Sequence, residues 1–418
     1  MTQTQHRHHL GVTIIIAMLG MIGPFTIDTM FPAFAQIGRA FTVDTVALQQ
    51  LTSVYLVSFA VMSLFHGPIS DAVGRKPVML AGLAVYALAS AGAALAPDFG
   101  VVLAFRALQG LSAGAGQIIS RALIRDLFAG AQAQRLMAQV SMIFAVAPAL
   151  APVMGGWILL VGDWRLTFWF LVVFAAVLWG LVSLGLPETH PAERRVPLRV
   201  PTMLRGLRAV FTNRIFLRLG VAAAFSFAAQ FLYISAAPIF IVDLLGKGER
   251  DFWIFFVPMI AGMMAGFFIN ARMAERISGR RLATIGYCLA IGAGLLNVIL
   301  SALPSAPQLP WAVVGPMLIA FGVALSFPVV NLVMLDLFPL LRGAAASGQS
   351  FLQLLLNAAL AGVIAPLVTG SVLQLALASA AFSLGGFLLW LWHLRAVPAE
   401  VPDELAGSQG ATSAGGVA

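Results

Sequence analysis

Runs of about twenty apolar residues recur along the whole of this 418-residue chain, and short turns between them hold nearly all of the charge. At about 1.5 Å of rise per helical residue, each run is long enough to cross a hydrocarbon layer of about 30 Å. With 60% hydrophobic and only 10% charged residues, a soluble globular domain is excluded. The chain reads as an all-α membrane protein. The expected spans are Leu10 to Pro32, Val46 to Phe65, Val78 to Ala96, Phe99 to Leu123, Leu136 to Val161 and Leu166 to Leu186. After a polar stretch come Ile215 to Val242, Phe252 to Ala271, Leu282 to Leu303, Trp311 to Leu335, Ala344 to Val368 and Leu373 to Leu394. Twelve spans put both termini on one side. The expected organisation is a six-helix half at 1–186, a cytoplasmic connector at 187–214, a second six-helix half at 215–395 and a disordered cytoplasmic tail at 396–418.

Charge fixes the expected orientation. Of the 24 Lys and Arg residues, nineteen fall in loops or at span ends on the side of the termini. Four, Arg39, Arg165, Lys247 and Arg250, fall on the other, and Arg106 lies inside a span. Basic side chains resist translocation, so the first side is cytoplasmic. The same distribution accounts for a sequence pI near 10.7 without invoking nucleic acid, because the bases form no single patch. The one cysteine, Cys288, lies in an apolar run and permits no intrachain disulfide. The basic, His-rich start with His6, His8 and His9 reads as a solvated flank and not a metal tract. A signal peptide is rejected because the first apolar run is too long and contains Asp28.

Between the second and third spans lies Gly67 to Pro77, GPISDAVGRKP, read as a tight charged loop at the membrane surface. Gly67, Asp71, Gly74, Arg75 and Lys76 resemble the G-x-x-x-D-x-x-G-R-[RK] loop of the major facilitator superfamily of secondary transporters, although Ala72 stands where many members have a base. The second half repeats the order, with Glu275 before Gly279-Arg280-Arg281. Ala151-Pro152 to Gly156 in the fifth span is likewise matched by Ala365-Pro366 to Gly370 in the eleventh. Two patterns recurring in one order point to a duplicated six-helix unit. In the connector, Met203, Leu204, Leu207, Val210 and Phe211 share one helical face beside Arg205 and Arg208, which reads as an interfacial helix on anionic lipid.

Ionisable groups inside a span cost about 2.5 to 3.5 kcal/mol on insertion scales, so each asks for a reason. The reading finds two deep in the spans. Asp28 lies 18 residues after Leu10, and Arg106 lies 8 after Asp98, which puts both in the outer half of the membrane at similar depth. They either share an aqueous cavity, as a proton-binding carboxylate tuned by a cation, or form a buried ion pair between helices. Asp28-Thr29-Met30-Phe31-Pro32 resembles the D-x-x-x-P of drug:proton antiporters in the superfamily. Arg106-Ala107-Leu108-Gln109-Gly110 is similar to their R-x-x-Q-G motif, which implies a role for the arginine in proton coupling. Ala147, Pro148, Ala151, Pro152, Gly155 and Gly156 resemble their helix 5 antiporter motif with two leading glycines replaced by alanine. That alanine form, with Arg125-Asp126-Leu127 and Phe231 to Ser235, is most like the Bcr/CflA branch of drug-resistance transporters. Where some relatives carry a second carboxylate two turns earlier, this chain has Gly20.

Independently of the resemblance, prolines and small residues in the fifth span suit a close helix contact that opens and closes. Gln109, Gln117, Gln230, Tyr233 and Asn331, with Gln353 and Asn357, are the other polar side chains weighed in the spans. They either face a substrate cavity or hydrogen-bond between helices. The resemblance implies a midplane cavity lined by helices 1, 4, 7 and 10 and alternating access around it. The expected function is proton-coupled export of small, mostly apolar or amphipathic drugs from the inner (plasma) membrane, with proton-coupled uptake of a nutrient as the alternative. No cluster of His, Cys or carboxylates suggests an enzyme, and no G-x-x-x-x-G-K-[ST] loop suggests an ATP-driven pump. The expected partners are a small molecule, protons and lipid. No metal or cofactor is called for, and a monomer suffices.

Overall fold

The computed structural model describes residues 3–127, 146–148, 150–195, 198–248, 250–273, 276–303, 308–338 and 341–396. The spanning helices are α1 (Gly11–Phe41), α2 (Thr45–Val73), α3 (Arg75–Ala94), α4 (Phe99–Ile124), α5 (Val146–Ile158), α6 (Arg165–Gly185), α7 (Arg214–Ser235), α8 (Trp253–Met273), α9 (Gly279–Ser301), α10 (Trp311–Asp336), α11 (Arg342–Val368) and α12 (Val372–Ala396). Eleven are long and apolar enough to cross a membrane. The twelfth, α5, is shorter because the first part of its expected span lies outside the described residues, as do Glu275 and the tail beyond Ala396. The all-helical, multi-span architecture expected from the sequence is the one found.

Within the first half, α4 packs against α2 and α3, and α3 against α6. Within the second, α10 packs against α8 and α9, and α12 against α7 and α9. The halves meet along α2 and α11. Among the described residues three side-chain hydrogen bonds join the halves here: Gln49 Nε2 to the Ser235 carbonyl of α7 at 3.1 Å, and, to α11, Gln50 Nε2 to the Gly362 carbonyl at 2.9 Å and Ser53 Oγ to the Ala358 carbonyl at 3.0 Å. All three lie toward the Thr45 end of α2. At its other end, here called the Gly74 face, the hydrogen-bonding partners are Asp126 of the first half and Glu188 at the start of the connector.

Prolines move several helix boundaries. The first span does not end at Pro32 but continues to Phe41, opening at Met21 and again at Thr29–Met30. Pro24 and Pro32 lack the N–H groups that would bond the Gly20 and Asp28 carbonyls. The stretch Gly67 to Pro77 is not the loop expected of it. Helix α2 runs through Pro68 to Val73 and α3 starts at Arg75, so the connection is the single residue Gly74. Its φ of 114° is open to glycine and strained for other residues. After α7, Pro238 leads into a π-helical turn at Ile239–Leu244 in place of the continuous helix expected to Val242.

The connector forms a helix at Val200–Thr212 with Leu207 and Val210 buried. Phe211 sets its ring 5.9 Å from that of Phe351 on α11. Leu204 and Arg205 point outward.

Candidate functional site

The guanidinium of Arg106 is fully buried and organises the centre of the first half. Nε donates to the Leu51 carbonyl of α2 at 2.8 Å, and one terminal nitrogen donates to the Thr26 carbonyl of α1 at 3.1 Å and to Gln109 Oε1 at 2.9 Å. The cation sits over the Tyr55 ring, 4.7 Å from its centroid. Desolvating a guanidinium is tolerable only with such a set of acceptors. One nitrogen, Nη2, is buried with no partner among the described residues.

Two features of the sequence bring these acceptors within reach. Gly110, one turn beyond Arg106, lets α4 approach the backbone of α2, where a Cβ would lie 2.2 Å from the Tyr55 carbonyl oxygen. The opening of α1 at Thr29–Met30 lies within one turn of Thr26, whose carbonyl Arg106 takes up. The network extends through Gln109 Nε2, which donates to Ser90 Oγ at 2.7 Å, and Ser90, which donates to the Tyr86 carbonyl at 2.8 Å. The Tyr86 hydroxyl returns to Thr26 Oγ1 at 2.5 Å.

Asp28 lies two residues along the chain from Thr26, buried to 3% exposure. No Lys or Arg nitrogen among the described residues is within 4.0 Å of its carboxylate, so Asp28 and Arg106 share a neighbourhood but not an ion pair. The opposite side of this break is closed by α5. Gly155 packs directly on the backbone of Thr29, and a Cβ there would sit 2.1 Å from the Thr29 carbonyl oxygen. Ala147, Ala151 and Pro152 are buried on the same helix, and Pro148 is half-buried. Gly156, by contrast, borders a surface depression with Leu159, Gly248 and Arg250 at the end away from the Gly74 face. Three stretches that the sequence singled out separately therefore converge on the broken turn of α1: Asp28 itself, Arg106 through Thr26, and Gly155 through Thr29.

The Gly74 turn is a separate cluster. Asp71 and Arg75 form an ion pair at 2.5 Å, and Arg75 Nε reaches Asp126 at 3.3 Å. Lys76 Nζ donates to the Ser183 carbonyl of α6 at 2.7 Å, while Gly67 has open space beside it. The side chain of Glu188, just after α6, accepts from the Arg75 and Lys76 backbone N–H groups, each at 3.1 Å. A carboxylate on the first N–H groups of a helix satisfies orphan donors and meets the positive end of its dipole.

The polar candidates for a cavity divide. Gln109 is spent on the arginine network, while Gln117 is half-buried facing Gly23. In the second half, Tyr233 accepts from Asn297 Nδ2 at 2.8 Å, and Asn331 accepts from Gln349 of α11. Gln230 Nε2 faces Met263 Sδ at 3.5 Å, and its buried Oε1 has no partner.

Sequence reasoning passed over Glu188, Tyr55, Ser90, Asn297 and the Gln49, Gln50 and Ser53 set. The signal for the last was available, because positions i, i+1 and i+4 lie on one side of a helix. It also counted only two deep ionisable groups. His66 is a third, 3% exposed in α2, which was missed because the span was ended at Phe65.

Two six-helix halves, an interior arginine held by a broken helix and a seam between the halves define a multi-pass membrane transporter that handles small molecules. The chain belongs to the Major Facilitator Superfamily, whose sequence model matches residues 13–366. It is 31% identical over 287 residues to an uncharacterized MFS-type transporter, YdgK, of Bacillus subtilis, covering 68% of this chain and 71% of the relative. It is 30% identical over 308 residues to a bicyclomycin resistance protein homolog of Haemophilus influenzae, covering 72% and 77%. With multidrug resistance protein D of Escherichia coli it shares 27% over 357 residues, covering 84% and 87%. The crystal structure of a D-xylose-proton symporter superposes with a TM-score of 0.70 at 15% identity, over 94% of this chain and 98% of that one, a likeness of fold.

Proposed function

We propose that this chain is a drug:proton antiporter that exports small amphipathic or apolar compounds across the cell inner membrane, with both termini cytoplasmic. Asp28 carries the coupling proton. The observation that carries this reading is a buried carboxylate without an ion-pair partner among the described residues, set at a break in α1 whose neighbouring carbonyl is held by Arg106. An ionised carboxylate in that place costs several kcal/mol unless water or a cation reaches it. A change in access to the break therefore changes the free energy of holding the proton, which is what coupling to a gradient requires. The naming of relatives as bicyclomycin and multidrug resistance proteins supports drugs as the exported class.

Arg106 is the positioning residue. It holds α1 open at Thr26, and its free Nη2 offers one donor to a substrate or to Asp28 when the helices move. Gln230, with a buried oxygen beside Met263 that has no partner among the described residues, is the substrate contact of the second half, and Gln117 that of the first. With the Gly74 face cytoplasmic, the cross-seam bonds of Gln49, Gln50 and Ser53 serve as the outer closure of the cycle. A monomer driven by the proton gradient, with no cofactor, is sufficient for this cycle.

The test is substrate-induced proton release from everted vesicles carrying wild type or Asp28→Asn, with dyes and antibiotics as a panel. Asn keeps size and hydrogen bonding but cannot titrate. Loss of uphill export with retained downhill substrate exchange is expected. Wild-type proton movement in Asp28→Asn would place coupling elsewhere.

A further inference from the structure

On the Gly74 face, the ends of α7, α9 and α12 gather basic side chains into one cluster. Arg218, in the first turns of α7, lays its guanidinium over the indole of Trp392 on α12, 5.0 Å from the ring centroid. Its Nε is buried and has no hydrogen-bond partner, and no carboxylate among the described residues pairs with it. His393 follows on α12, 8% exposed, with Nδ1 also buried and unpartnered. Its ring stacks on Trp390 at 5.5 Å, and Trp390 Nε1 donates to Thr284 of α9 at 3.0 Å, so the wall behind the histidine is fixed. Arg280, at the start of α9, donates to the Leu394 carbonyl at 2.6 Å, and the charges of Arg218 and Arg280 both act on His393.

A second arginine–tryptophan stack in the chain shows what is unusual here. Arg165 lies over Trp164 at 4.4 Å, at the opposite membrane surface, and Asp163 stands 3.6 Å from it as a counter-ion. The geometry of the two stacks is alike, but for Arg218 no described acidic residue supplies the negative charge. Two buried nitrogens there have no hydrogen-bond partner among the described residues, which a folded chain leaves open only at a cost of about 1 to 3 kcal/mol each. Something anionic with several acceptor oxygens meets that need.

We infer that this cluster holds the headgroup phosphate of an anionic phospholipid. The headgroup oxygens accept from Arg218 and His393 near Arg280, and an acyl chain runs along Trp392. The position selects a lipid over a free ion. The cluster lies at the first turns of α7 and α9 and the last turn of α12, the level of the headgroups. Trp392 is 59% exposed on the outer surface of the bundle, where an acyl chain and not water is its neighbour. Basic pockets between helix ends on the cytoplasmic side, flanked by an interfacial indole, suit such lipids. The planar guanidinium, held by its stack, presents a fixed fork to phosphate oxygens.

Native mass spectrometry of the purified full-length protein with equal amounts of phosphatidylglycerol and phosphatidylcholine tests this. Wild type should retain phosphatidylglycerol preferentially. Arg218→Gln should lower the preference about five-fold, as removal of one basic contact implies. Arg218→Lys should keep most of it, and Arg165→Gln should leave it unchanged. An undiminished preference in Arg218→Gln, or equal retention of the two lipids by wild type, overturns the site. If inorganic phosphate alone raises the melting temperature as much as phosphatidylglycerol does, and lipid adds nothing further, the ligand is a free ion and the lipid assignment fails. A measurement that does not depend on the folding of an arginine variant is fluorescence quenching by brominated lipid. Brominated phosphatidylglycerol should quench a component that Trp392→Phe lacks, and equal quenching by brominated phosphatidylcholine would overturn the proposal.

Discussion

Gln50 and Gly362 join the two halves of the protein through a proline that is not itself at the contact. The amide of Gln50 donates to the Gly362 carbonyl at 2.9 Å. In an uninterrupted helix that carbonyl would accept from residue 366, but Pro366 has no N–H. Helix α11 widens into a π-helical turn at Leu360–Ile364, and the freed carbonyl is taken by the other half of the molecule. The backbones also come close here, since a Cβ on Gly362 would lie 2.4 Å from Ser53 Oγ.

Gln50→Ala should therefore loosen the seam. Loss of a part-buried hydrogen bond costs about 1 kcal/mol, or about a five-fold shift between closed and open populations at that end. Distances between spin labels at Val46 and Leu367, both exposed, should lengthen and broaden in a background lacking Cys288. Pro366→Ala should act in the same direction, because it gives Gly362 a donor within its own helix. The double variant should show less than the sum of the two. Unchanged distances in both single variants would mean that the bond does not hold the seam.

Glu188 and Asp71 should separate stability from transport. Glu188 accepts from the first two N–H groups of α3, so Glu188→Ala should lower the melting temperature as a lost cap does, by about 1 kcal/mol of stability. Its Gln variant should recover part of this through one remaining acceptor.

Asp71 is nearly half exposed and pairs with Arg75 within one helical turn of chain. Asp71→Asn should slow transport while membrane levels stay near those of wild type. Full transport by Asp71→Asn would remove that carboxylate from the working cycle.

How far the sequence revealed this arrangement depended on what kind of signal each part leaves. The spans were legible because hydrocarbon forces long apolar runs, and Asp28 and Arg106 stood out because a charge there is conspicuous. Glu188 was not legible, since an acid in a polar stretch looks solvated and only the fold carries it across to α3. The helical character of Gly67–Val73 was hidden because glycine and proline read as a turn, although Pro68 is tolerated inside α2. The absence of an Asp28–Arg106 ion pair was equally hidden. Similar depth along two helices does not say which way the side chains turn, and the acceptors that Arg106 uses are backbone carbonyls that no residue letter reports.

Gly155 should tolerate no side chain. A Cβ at 2.1 Å from the Thr29 carbonyl must push α5 away from α1 just where α1 is broken. Gly155→Ala should reduce transport strongly, and Gly155→Val should also lower the amount of folded protein, as overpacking of about 1 to 3 kcal/mol implies. Gly180→Ala, on α6 with open space beside it, is the control and should behave as wild type.

Arg106 distinguishes charge from shape. If a positive charge near Asp28 were all that mattered, Arg106→Lys would retain transport. The structure gives the guanidinium a different task. Its planar fork reaches Leu51 on α2, Thr26 on α1 and Gln109 on α4 at once, with a face over Tyr55. A single ammonium cannot meet acceptors spread around that plane. Arg106→Lys should then fail nearly as badly as Arg106→Ala in uphill export, losing at least about ten-fold in rate. Both should also expose the first half to faster hydrogen exchange around Ile22–Asp28, where the broken turn loses its donor. Near-normal export by Arg106→Lys, with unchanged exchange at that turn, would reduce the role of Arg106 to that of a charge.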